Sequence, residues 1–270
     1  GNARHWIFFF SSLLLAWNAM SAEGEYSTGF VMDDPEAVAK VPVTPPYRDV
    51  LPHQVNLREL LPPIGDQGNQ GSCTAWATSY AAMSATFNRE IKALTPADFT
   101  PPRISFSPAY LYNQIHRGDC DGTTFISALN MVRDQGLALY DEFPYTPKDC
   151  ASLPDESLML QSRARRLIHY ATIDPNKSNA LDKIRGALYL GRPVLFSMDT
   201  GTKDSSFKKY RSGIFAESGD DHLGGHAMVL VGYDDDEQVF LIANSWGDDW
   251  GEQGFMRIRY EIFLKRLSTY

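Results

Sequence analysis

One change of pattern, near Tyr145, limits the architecture more than any other feature of the chain. Before it, the apolar residues recur at helical spacing. Residues 74–87 are rich in small, good helix formers, which suits a central helix packed closely on several sides. Two further helical patterns lie at 107–115, after Pro-rich punctuation, and at 126–134, ending at Gly136. After Tyr145 the chain turns to short apolar or alternating runs at 193–198, 227–231, 238–243 and 255–260. Turn residues such as Gly232 and the acidic stretch 234–236 bound them, so they are predicted strands, with one helix at about 179–190. Helices first and strands later predict an α+β protein. Its helical lobe lies mainly in 67–145, its sheet lobe mainly in 146–270, and the cleft between them is the default site.

The 270 residues are enough for two fused lobes, and folded-domain patterning begins near Leu51. Residues 23–50 are acidic and Pro-rich and read as an extended lead. Residues 1–22 have the order of an export signal: Arg4 and His5, a short apolar run from Trp6 to Trp17, then small residues to Ala22. The run is too short to span a bilayer. A secreted or periplasmic protein without stable membrane insertion is the expectation. If this segment is retained, its apolar face must be buried. The net charge of −8 excludes nucleic acid as a partner class, because phosphate binding needs clustered bases. Arg163, Arg165 and Arg166 come nearest to a cluster and read as a solvated face.

Three points carry chemistry. Cys73 stands where the glycine-rich loop 65–71 turns into the first helix. A helix N-terminus favours a thiolate, and thiolate is the nucleophilic form. His226 follows two glycines and opens an apolar strand. An imidazole there can hold a thiolate as an ion pair and then protonate a leaving amine. Asn244 follows the strand 239–243; its amide oxygen can accept the imidazole N–H and fix the tautomer, with Trp246 covering the contact. Taken singly, each residue has a plain structural reading: an inert thiol, a core histidine, a turn asparagine.

Together, in this order, they resemble the papain/cathepsin family of cysteine peptidases, in a bacterial-type form. The resemblance rests on Gln67 to Cys73 (QGNQGSC), His226 to Tyr233 (HAMVLVGY) and Asn244 to Gly254 (NSWGDDWGEQG), and extends from about Leu51 to Tyr260. Leu51 to Arg58 looks like a mature start. The resemblance implies a two-lobed papain-like fold with a barrel-like sheet lobe. It implies peptide hydrolysis through an acyl-enzyme, with Gln67 and the Cys73 amide as oxyanion donors. Gly71, Ser72, Gly122, Thr123, Gly225 and Trp246 fall at substrate-binding positions. The resemblance also implies an N-terminal segment that crosses the cleft, here 23–50, with Tyr26, Phe30 and Tyr47 as anchors. Cys120 and Cys150 fall at two disulfide positions whose usual partners are absent, Gln70 occupying one of them, so they are expected to pair with each other. Neither a cofactor nor a metal is expected, and a monomer acting on protein or peptide substrates is. Some positions depart from the pattern. Thr74 replaces the usual Trp, Thr123 the second of two glycines, and Gly225 the Asp or Asn before the histidine. The Thr123 change puts substrate pairing in question. Two other functions share these residues: an amidase or transamidase, and a silent papain-like binding module.

Overall fold

The computed structural model describes residues 26–100, 104–219 and 225–268. The signal-like segment 1–22 lies outside the described residues. The first described element is a short helix, α1 (Pro35–Ala39), capped by Asp34, whose carboxylate accepts from the Glu36 amide. Strand β1 (Gln54–Asn56) follows. The central helix, α2, begins at Cys73 and runs on through three stretches: α-helical Cys73–Ala75, a wider π-helical Trp76–Met83, and α-helical Ser84–Leu94. The π stretch turns Trp76 onto Gly65, where any side chain would collide with the indole. Helices α3 (Pro108–Ile115) and α4 (Phe125–Asp134) begin at Ser107 and Thr124, whose hydroxyls accept from the amides of Tyr110 and Ser127.

Helices α5 (Glu156–Ser162) and α6 (Ala180–Tyr189) lead into strands β2 (Val194–Asp199), β3 (Ile214–Phe215), β4 (Gly225–Asp234), β5 (Val239–Ala243) and β6 (Phe255–Arg259), and helix α7 (Tyr260–Ser268) follows. The strands form one sheet in the order β1-β4-β5-β6-β3, with β2 also paired to β4. All pairs are antiparallel except β3 with β6. Strand β4 is the spine of the sheet. It is buried from His226 to Tyr233, which is why 227–231 reads as an unbroken apolar run rather than an alternating one.

The lobe boundary is not a single cut at 145/146. Leu57, Leu60 and Leu61 belong to the core of the sheet. Cys150, Leu158 and Leu167 belong to the core around Phe106, Tyr110 and Leu137 in the helical lobe. The start of each half therefore crosses to the other lobe, and the two are tied together by chain as well as by packing. The tail beyond Tyr260 forms α7, with Phe263 fully buried against the sheet and the Arg266 guanidinium donating to the Asp199 and Glu217 carbonyls. Cys120 and Cys150 are bonded, with Cα atoms 6.1 Å apart, and Cys73 is the one free thiol among the described cysteines. No helix among the described residues is long and apolar enough to cross a membrane.

Candidate active site

Cys73 is the first residue of α2 and is fully buried. His226 lies on β4, also fully buried, and its Nε2 and Asn244 Oδ1 are 2.8 Å apart. The next amide along β4, Ala227 N–H, donates to Cys73 Sγ at 3.4 Å. The other ring nitrogen of His226, Nδ1, has no partner among the described residues. Asn244 spends its oxygen on His226 and on the Ser245 amide (2.8 Å). Trp246 stacks on the imidazole, centroids 4.4 Å apart at 20°, and so covers the His226–Asn244 contact. Thiol, imidazole and amide thus meet where the start of α2 packs against β4.

Gln67 is fully buried and held from both ends. Its Oε1 accepts from the Ser245 hydroxyl at 2.7 Å, and its Nε2 donates to the Gln70 carbonyl at 2.9 Å. Its second Nε2 donation, at 3.0 Å, goes to the carbonyl of Thr28. Tyr145 supports this loop from below: its hydroxyl donates to the Gln67 carbonyl at 2.6 Å and lies 2.8 Å from the Ser72 hydroxyl. The sequence marks Tyr145 only as the point where the pattern changes and gives Ser245 no role of its own within the Asn244–Gly254 motif.

Residues 26–33 run through the cleft. Tyr26 stacks on Trp246 at 4.7 Å, and the Trp246 indole N–H donates to the Ser27 carbonyl at 2.7 Å. Gly29 crosses Gly71 so closely, at φ +129°, that an added Cβ would sit 2.0 Å from the Gly71 carbonyl oxygen. Gly122 meets the Gly29 carbonyl in the same way, 2.1 Å from its own would-be Cβ. The Phe30 amide donates to the Gly225 carbonyl at 3.2 Å, and its ring packs against Cys73, Ala77, Ala227 and Phe125. A side chain at Gly225 would press on that ring, which accounts for glycine where the family has Asp or Asn. Thr123 pairs in parallel with the segment: its N–H donates to the Gly29 carbonyl (3.0 Å) and its carbonyl accepts from Val31 N–H (2.9 Å). Its side chain points away, toward the Ile115 carbonyl, so the backbone stays available for pairing despite the change from glycine. Further along, Tyr47 packs on Gly186 and meets Tyr189 edge-on.

Burial under this segment sets the electrostatics. The helix N-terminus was expected to lower the Cys73 pKa. In the covered cleft burial outweighs it, and the thiol is pushed up to about 12 against hydrogen bonds that favour the thiolate, the one from Ala227 largest among them. Burial pushes His226 down to about 3; the hydrogen bond to Asn244 opposes this, and the charge of Lys208 adds to it. The covered pair is therefore a neutral thiol beside a neutral imidazole.

A stability consequence follows from His226. Its folded pKa lies below its unfolded value of about 6.5, so the unfolded chain binds the extra proton. Stability present above pH 6.5 is lost as pH falls toward 3, at up to about 1.4 kcal/mol per unit. Between pH 7 and 4.5, urea unfolding of the full chain should show about 2–3 kcal/mol more loss than that of the His226→Gln variant. Equal losses would mean that His226 is already solvated.

The chain matches the model of the papain family cysteine proteases over residues 51–265. The chain belongs to that family. It is 30% identical over 227 residues to cathepsin B-like CP3 of Giardia intestinalis, covering 78% of this chain and 67% of that one. It is 29% identical over 204 residues to a peptidase C1-like protein of Acanthamoeba polyphaga mimivirus, covering 73% of this chain and 64% of the relative. The chain thus spans about two thirds of the length of these curated relatives. Among solved structures it is similar to xylellain, a cysteine protease from Xylella fastidiosa, with a TM-score of 0.69 at 22% identity, covering 90% and 92% of the two chains. It is also similar to a Carica candamarcensis cysteine protease in complex with E-64, with a TM-score of 0.59 at 26% identity, covering 81% and 96%. These likenesses agree with the two-lobed α+β papain-like fold.

Proposed function

We propose that the chain is an exported cysteine peptidase whose residues 23–50 keep it latent by filling the cleft. The observation that carries the peptidase reading is Cys73 at the head of α2 held by the Ala227 amide of β4, next in chain to a His226 that is paired with Asn244, with an amide donor of Gln67 in the same site. Once the cleft is open to water, the desolvation that holds the pair neutral is relieved, and Cys73 passes its proton to His226. The thiolate attacks the substrate carbonyl carbon. The carbonyl oxygen takes up the electron pair and is held by Gln67 Nε2 and the Cys73 amide. As the intermediate collapses, the imidazolium protonates the leaving amine, and a thioester remains on Cys73. Water, deprotonated by His226, then attacks the thioester and releases the carboxylic acid and the thiol. Asn244 keeps the ring oriented through both steps.

Latency is supported by the Thr28 carbonyl, which takes the Gln67 donor that a substrate oxygen would need, and by Phe30, which packs over Cys73. Export is supported by the signal-like order of residues 4–22 and by the Cys120–Cys150 bond, which persists best in an oxidising compartment. The test is a peptide-library cleavage profile of the full chain beside a chain starting at Leu51, both verified as folded. The shorter chain should cleave at once and the full chain only after trimming. Equal rates without trimming would remove the latency reading, and no cleavage by either would remove the peptidase reading.

A further inference from the structure

The end of the cleft beyond Phe30 holds a contact that the chemistry above does not use. Asp33 turns both carboxylate oxygens onto the start of α4: Oδ2 accepts from Phe125 N–H at 3.2 Å and Oδ1 from Ile126 N–H at 2.9 Å. Amides in the first turn of a helix have no carbonyl partner within the helix, and the helix dipole makes that end attractive to an anion. The remaining donor of this turn, Ser127 N–H, is already taken by the Thr124 hydroxyl at 3.1 Å. Two amides are thus left together, and the group bound across them is a carboxylate from a residue more than 90 positions away in sequence. Asp34, its neighbour, is exposed and caps its own helix instead, whereas Asp33 is half-buried.

The surroundings fit an acid rather than an amide. Two N–H groups side by side call for two acceptors, which a carboxylate has; a carboxamide offers one oxygen and turns an NH₂ toward the second donor. The Phe125 ring, which meets Phe30 at 5.0 Å, joins this seat to the aromatic position next to Cys73. Tyr170 lies close enough to feel the Asp33 charge, and its hydroxyl donates to Asn130 Oδ1 at 2.5 Å, so it is oriented without competing for the seat. The Arg133 guanidinium lies 5.8 Å from the Tyr170 ring and is paired with Asp134.

We propose that the amides of Phe125 and Ile126 form a carboxylate-binding subsite of the cleft. Asp33 fills it in the latent chain, and an acidic side chain of a peptide substrate fills it once the segment leaves. The inference rests on the latency reading for the second occupant, and on the two hydrogen bonds alone for the first.

The experiment uses the full chain as wild type, Asp33→Asn and Asp33→Ala. It reads the rate at which a thiol-directed epoxide alkylates Cys73. The Asp33→Ala chain, before and after trimming, is then given matched peptide pairs that differ only by Asp or Asn at one position. Each pair is scored for kcat/KM and for protection of Cys73 from the epoxide. Both variants are expected to label about 10-fold faster than wild type, and the Asp member of one pair to be favoured by about 10-fold or more, in the range of charge-assisted hydrogen bonds. Equal cleavage and equal protection by Asp and Asn at every position would overturn the proposal, whatever the labelling rates. If no peptide is cleaved even after the chain is trimmed, but Asp peptides protect better than Asn peptides, the subsite stands and the peptidase reading falls.

Discussion

Replacing Cys73 by Ala should abolish peptide cleavage, with a fall of roughly 10⁴–10⁶-fold, the range seen when a covalent nucleophile is removed from an otherwise intact site. His226→Ala should fall about as far, because the thiol then has no group to take its proton. Asn244→Ala should fall less, by about 10²-fold, because the amide only holds the ring that does the work. The thiol is buried and uncharged in the covered state, so the smaller side chain should leave the fold in place. Purified Cys73→Ala protein with more than a thousandth of wild-type cleavage would refute the assignment of the nucleophile.

The second large effect is expected at Gly29, far from the reacting atoms in sequence. Its φ of +129° is open only to glycine, and the missing side chain is where the Gly71 carbonyl passes, 2.0 Å from the would-be Cβ. The Gly29 backbone cannot yield without losing the pairing at Thr123. Gly29→Val should therefore unseat residues 26–33 and raise initial activity of the untrimmed chain by about 100-fold or more, a shift of about 2.7 kcal/mol in the seating equilibrium. Initial rates of freshly purified, untrimmed protein provide the check. A Gly29→Val chain as silent as wild type, yet activated by trimming, would show that the segment inhibits without passing between Gly71 and Gly122.

The sequence made the larger elements legible because their periods are strong. The helix from Cys73, the helices near 107–115 and 126–134, and the four main strands all stand close to their expected positions. The elements that escaped are short or dictated from afar. Strands β1 and β3 have three and two residues, too few for any period. Helix α5 has seven residues and packs on the helical lobe from beyond the boundary that the pattern change predicted. The π-helical widening at Trp76–Met83 leaves no mark in a run of small residues. Within the site, Cys73, His226, Asn244 and Gln67 were readable because three ordered motifs carry them. Gly29 and Asp33 were not, because a glycine and an acid in a Pro-rich lead look ordinary until the tertiary fold sets them against Gly71 and α4. The charge state was misjudged for the same reason: the helix end is local, whereas the burial that overrides it comes from distant residues packed around Cys73, with Ala227 and Phe30 among them.

Gly29, Gly71 and Gly122 meet in the cleft as bare backbone, with no side chain between them. A contact made of main chain alone demands glycine at its centre and reads no other side chain, so further discrimination falls to what flanks it: Tyr26 on one side, Phe30 and Asp33 on the other. A short peptide copying 26–33 therefore divides into a generic waist and two adjustable ends. Exchanging the ends while keeping the central glycine would retune such a peptide toward one relative and away from another, giving selective inhibitors from a single template.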